Sequence, residues 1–207
     1  MQSSLLLPLM AFAVASSITP GPNNLMLLAS GANYGFRRTI PHILGVGIGF
    51  IVMMVVVGLG IGQMLQASPK VYTGLRLASL LYMGWLAWRI ATSGPVDSGS
   101  GEAQSKPMTF LQALLFQWVN PKAIAMGLAA TATYTDPGRY VASLLAVALV
   151  FGSINLPCVS VWAGFGVALR NWLKDPVRLR IFNVAMAVLL VVSFLPLARD
   201  LLGGTPP

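Results

Sequence analysis

Long apolar runs separated by short polar clusters make up most of the chain. Runs of about 20 apolar residues with few charges match the thickness of a bilayer and predict spanning helices. The ten-residue alternation of a membrane barrel is not the pattern here. The first run covers Leu5 to Ala29. After the polar cluster Asn33-Tyr34-Gly35-Phe36-Arg37-Arg38, the second covers Pro41 to Met64. Pro41 is read as a helix start, where its missing N–H costs little. The remaining runs are Val71–Ile90, Phe110–Tyr134, Tyr140–Leu169 and Ile181–Leu202. The third closes with Tyr82, Trp85, Trp88 and Arg89, an aromatic and basic belt suited to a membrane surface. The longest polar stretch, rich in Gly, Ser and Pro, follows it and reads as a mobile linker. The expected architecture is an all-α integral membrane protein of six transmembrane helices. Residues 1–92 and 109–207 form two three-helix groups, joined by a flexible linker at 93–108.

Two runs contain helix breakers. In the first, Thr19-Pro20-Gly21-Pro22-Asn23-Asn24 interrupts an otherwise spanning segment. Pro20 and Pro22 should free the carbonyls of Ser16 and Ile18, and Gly21 admits backbone conformations that other residues avoid. Irregular backbone at membrane depth is tolerated only where protein buries it or it lines a polar cavity. The half-helix opening at Pro22 would aim free N–H groups and a positive dipole end at that cavity, which suits a carboxylate. The alternative is a kinked helix whose freed groups are satisfied by neighbouring helices. In the fourth run, Asn120-Pro121-Lys122 stands in the matching place, 99 residues after Pro22, and Pro121 should free the carbonyl of Gln117. Groups of three spans related this way must be inverted repeats, here with helices 1 and 4 broken, an arrangement found in transporters. Asn155-Leu156-Pro157 predicts a kink in the fifth run.

Composition agrees with a membrane protein. Of 207 residues, 56% are hydrophobic and 9% charged, against roughly 25% charged in soluble domains. The net charge of +8 does not imply a nucleic-acid partner, because the basic residues are scattered at span ends. One face collects Arg37, Arg38, Arg89, Lys106, Arg170, Lys174, Arg178 and Arg180; the other collects Lys70, Arg76, Arg139 and Arg199. The richer face should be cytoplasmic, with both termini outside. Leu5 to Ala15 resembles a secretory signal core, but Met1 to Pro8 carries no Lys or Arg and the apolar stretch resumes after the break, so it reads as a retained span. The lone Cys158 excludes an intrachain disulfide. Gly-x-x-x-Gly spacings at Gly45/Gly49 and Gly58/Gly62 let helices approach closely, and serve either a homodimer or the internal fold.

Few residues can carry chemistry. Lys122 is the basic side chain expected near the membrane centre, where a cation is costly and needs a reason. It could pair with a substrate carboxylate or exchange its proton; structurally, it could snorkel or bond freed carbonyls. Acidic residues fall only in loops or at span ends, and Asp136 belongs to the turn Thr135-Asp136-Pro137-Gly138. His42, the sole histidine, is expected as an interfacial side chain at the start of span two and is a second candidate for proton coupling. No cluster of metal ligands is present, no cofactor is implied, and no hydroxyl has a base beside it, so no catalytic residue is assigned. Asn23, Asn24, Gln117, Asn120 and Asn155 are the neutral polar groups placed around a cavity. The substrate-binding set is completed by Pro20, Gly21, Pro22, Pro121 and Lys122.

The combination of Thr19-Pro20-Gly21-Pro22-Asn23, Gly35-Phe36-Arg37, Leu86-Ala87-Trp88-Arg89-Ile90 and Val119-Asn120-Pro121-Lys122-Ala123 resembles the LysE/RhtB family of amino-acid exporters over essentially the whole chain. Ile18 to Leu25 with Gly35-Phe36-Arg37 is most similar to its cysteine/O-acetylserine exporter branch. The resemblance implies a bacterial inner-membrane carrier that exports amino acids or close derivatives, driven by protons. Many members carry an acid in span two after a Gly-rich stretch; here Gly45 to Phe50 has none. A site with Lys122 and no buried acid disfavours cationic substrates. The expectation is a secondary exporter of small neutral amino acids that rocks one half against the other. A channel or structural membrane subunit is the alternative, and a lipid-directed enzyme lacks the catalytic groups.

Overall fold

A computed structural model of the chain describes residues 5–61, 69–93 and 106–202. The described residues form helices and short connections, with no strand among them. The first apolar run divides into α1 (Leu6–Ile18) and α2 (Pro22–Tyr34). The second is α3 (Phe36–Val56), continued by a π-helical turn over Val57–Ile61. α4 spans Pro69–Ala91. The fourth run divides into α5 (Phe110–Phe116), a 3-10 turn at Gln117–Val119, and α6 (Pro121–Tyr134). α7 (Tyr140–Leu169) and α8 (Pro176–Leu202) complete the set. Phe36–Gly60, Pro137–Leu169 and Pro176–Leu195 are long and apolar enough to cross a membrane; Leu6–Ile18 and Phe110–Val119 are shorter apolar helices. Both short pieces end at the backbone breaks.

Several boundaries differ from those the sequence predicts. The polar cluster between the first two runs shrinks to Gly35, whose φ of 82° lets α2 turn directly into α3. Asn33 stays helical and buried because its amide exchanges two hydrogen bonds with Asn183, at 2.9 and 3.2 Å. α3 therefore starts at Phe36, and Pro41 lies inside it rather than at its start. α8 starts at Pro176 rather than Ile181, because Asp175 Oδ1 accepts from the N–H groups of Val177 and Arg178. Asp136 does make the expected turn, accepting from Gly138 N–H at 2.9 Å. α7 keeps its predicted limits and continues as one helix through Pro157. Gly62, Met64 and linker residues 94–105 lie outside the described residues.

Small residues set the packing. α2 lies on α7 so closely that a Cβ at Gly31 would strike the Ala163 carbonyl oxygen, and one at Gly166 would strike that of Leu28. A Cβ at Gly49 would lie 2.7 Å from Leu114 Cα, and Gly45 meets Ala113 and the Phe110 carbonyl. The Gly45/Gly49 seam is thus occupied by α5 of the same chain. α4 packs chiefly on α8.

Two apolar clusters form the interior. One contains Leu27, Val46, Met83, Phe116, Val159 and Leu190. The other contains Leu9, Ala13, Phe50, Met53, Ala123 and Phe151, with Phe50 and Phe151 rings 5.0 Å apart. The chain passes from one cluster to the other between Ala13 and Leu25, Val46 and Phe50, Phe116 and Ala123, and Phe151 and Val159. Both helix breaks and Asn155 fall in those intervals. Ser17, Asn24, Gln117, Asn120 and Asn155, all buried, thereby make a polar layer between two apolar ones.

Candidate functional site

The end of α1 leaves carbonyls without helical partners, and side chains take them up in turn. Ser16 O accepts from Thr19 Oγ1 at 2.9 Å. Ser17 O accepts from Asn24 Nδ2 at 2.8 Å, and Ile18 O from Trp162 Nε1 at 3.1 Å. Thr19 O accepts from Asn24 Nδ2 at 2.8 Å and Lys122 Nζ at 2.6 Å. Pro20 O accepts from Lys122 Nζ at 3.2 Å. Gly21 is extended, with φ of −179°, a conformation open to any residue. Its role is room rather than the backbone freedom expected of it: a Cβ there would lie 2.6 Å from Lys122 Cδ.

At the second break, Asn120 alone separates the 3-10 turn from α6. Its Oδ1 accepts from Lys122 N–H at 3.2 Å, capping α6. Its own N–H reaches Gln117 O at 3.4 Å, the carbonyl Pro121 cannot serve. The Gln117 side chain exchanges two hydrogen bonds with Asn23, at 2.8 and 3.2 Å, and ties the breaks together. Lys122 Nζ also donates to Thr19 Oγ1 at 2.9 Å, so three oxygens meet its three N–H groups. Among the described residues no carboxylate pairs with it.

A small cavity lies between the breaks, lined by Ser16, Ser17, Gly21, Asn23, Asn24, Phe50, Asn120, Lys122, Ala123, Met126, Asn155 and Val159. Among the described residues its lining contains one cation and no acid. α2 opens onto it at Pro22 without a capping side chain, so a positive helix end adds to the charge of Lys122. Asn155 Nδ2 donates to Ser17 Oγ at 3.0 Å, while Asn155 Oδ1 is buried without a partner. The lining residues thus include a cation with no carboxylate partner among the described residues and a side chain with a buried acceptor that has no partner.

Of the residues selected from sequence, Gly21, Asn23, Asn24, Asn120, Lys122 and Asn155 line this cavity. Pro20, Pro22, Gln117 and Pro121 do not; they shape or brace the breaks. Trp162, which closes a freed carbonyl, had no local signal in the sequence; Thr19 stood in the break motif but was not selected for this role. His42 lies elsewhere, in a second cavity with Ser30, Asn33, Tyr34, Arg89, Ser93 and Lys106 among its lining. It is not interfacial: 1% of it is exposed, because α3 begins five residues before Pro41 and carries His42 inward.

Residues 14–200 match the family described as LysE type translocator. The chain is 31% identical over 199 residues to cysteine/O-acetylserine efflux proteins of Escherichia coli strain K12 and of Shigella sonnei strain Ss046. These alignments cover 92% of this chain and 96% of each relative. No solved structure matches the chain.

Proposed function

The chain belongs to the LysE type translocator family, and on that premise we propose that it exports small neutral amino acids or derivatives, such as cysteine or O-acetylserine, across the bacterial inner membrane. The relatives' name supplies the direction and the substrate class. The observation that carries the assignment to a site is the polarity of the cavity between the breaks. The substrate carboxylate sits at the open N-terminus of α2 beside Lys122, replacing part of that lysine's contact with Thr19 and Pro20. The substrate ammonium donates to Asn155 Oδ1, the buried acceptor without a partner. The cavity volume is about 20 Å³, roughly one water's worth, so substrate binding requires it to widen, and in this reading the chain alternates between states open to either side.

In this reading the chain is six spans in two inverted halves, 1–92 and 109–207, with helices 1 and 4 broken and both termini outside. Export is driven by protons. The test is efflux from vesicles preloaded with labelled cysteine, O-acetylserine, threonine and lysine. Saturable efflux of neutral substrates, weak efflux of lysine, and loss of activity in Lys122→Ala and Asn155→Leu proteins that remain inserted and folded are expected. Flux that does not saturate and shows no exchange would mean a pore instead. Unchanged efflux in both variants would move the site elsewhere.

A further inference from the structure

We propose that His42 carries the driving proton, exchanging it with one face of the membrane through the cavity between α2, α4 and the segment before α5, and with the other face once access has changed. The inference rests on the exporter reading above but concerns a different cavity from the substrate site.

His42 is buried, and neither Nδ1 nor Nε2 has a partner in the protein. A neutral imidazole has one donor and one acceptor to satisfy, and leaving both unmet inside a protein is costly. The ring lines a cavity that offers about 50 Å³ to water centres, enough for several molecules where one needs about 10–15 Å³. Its lining mixes apolar side chains such as Met26, Leu86 and Met108 with polar ones. Ser30 Oγ lies 2.9 Å from Thr39 Oγ1, Thr39 donates onward to Gly35 O, and Ser30 and Asn33 both line the space. Toward the loop end stand Ser93 and exposed Lys106, which give water a path in.

The titratable and charged groups lining the cavity with His42 are Tyr34 of α2, Arg89 of α4 and Lys106. α5 contributes none, and Tyr140 and Cys158 of α7 are not in the lining. With no acid among the described lining residues, none of these holds a bound proton in an ion pair. In the step itself, the ring nitrogen without hydrogen takes a proton from hydronium, leaving water and giving imidazolium. After the change of access the imidazolium gives that proton to water of the opposite face, which restores the neutral ring. Lys122 is a poorer carrier on geometry, because its N–H groups already hold three oxygens of the first break.

The test uses the full chain in vesicles and separates coupling from transport. In His42→Gln, exchange of labelled for unlabelled cysteine at equal pH should persist, while efflux driven by a pH gradient should fall by about tenfold or more, the usual size of a coupling effect. Gradient-driven efflux equal to the parent's overturns the proposal. If the variant does neither, the parent decides: His42 is the only histidine, so imidazole NMR signals of histidine-labelled protein report it alone. Signals that titrate between about pH 5 and 9, the range where histidine switches, support the proposal, and signals that do not move overturn it. Failure of the exporter reading would show separately, as no exchange in the parent.

Discussion

The first break takes three residues out of helix and the second takes one. At the first, Ser16 O is closed locally by Thr19, but the other freed carbonyls depend on Asn24 from α2, Trp162 from α7 and Lys122 from α6. At the second, Asn120 serves both sides itself, through its side chain toward Lys122 N–H and its own N–H toward Gln117 O. The first break therefore exists only once α2, α6 and α7 are assembled, whereas the second can form within its own segment. One supplies acceptors and an uncapped helix end; the other is capped and supplies a cation. A proline alone does not make a break, since α3 holds Pro41 and α7 runs on through Pro157; the residues around it decide whether a break forms and stays open to a ligand.

Three substitutions probe that asymmetry. Lys122→Met should have the largest effect. It leaves the Thr19 and Pro20 oxygens without their cation, and unfolding in detergent should show a loss of about 2–3 kcal/mol, the range for hydrogen bonds to charged groups. Efflux should be lost as well. Asn24→Leu should come next, at about 2 kcal/mol, because Ser17 O and Thr19 O each lose a donor; an unchanged unfolding midpoint would mean that the first break does not need assembly. Asn120→Ala should cost least, about 1 kcal/mol for a lost N-cap, and Asn120→Ser should recover most of it. If Asn120→Ala proved worse than Asn24→Leu, the contrast between a remote and a self-contained break would be reversed.

Both breaks were legible because proline acts through its own ring and missing N–H, which need no knowledge of the fold. The limits of α7 were legible for a similar reason: a polar turn at Asp136 and a basic cluster at Arg170 bracket one apolar run. What depends on a distant partner was not. Asn33 looked like a loop residue until Asn183, 150 positions away, gave its amide a buried partner. Trp162 is one aromatic among many until α7 lies beside Ile18 O. His42 looked interfacial because Pro41 was read as a helix start, and a proline six residues into a helix costs only one backbone bond. Gly21 was selected for backbone freedom, but its φ is extended and what it supplies is space for Lys122.

The contact of α2 with α7 at Gly31 and Gly166 bears on how the molecule can move. These helices come from opposite halves of the chain, yet at two levels their backbones touch with no side chain between them. A joint of that kind has little play, since tilting either helix drives carbonyl into Cα or opens a gap that nothing fills. Kinematically, α2 and α7 are one member. A transport stroke would then divide the molecule not at its sequence midpoint but between this shared keel and the α4–α8 pair, which pack chiefly on each other.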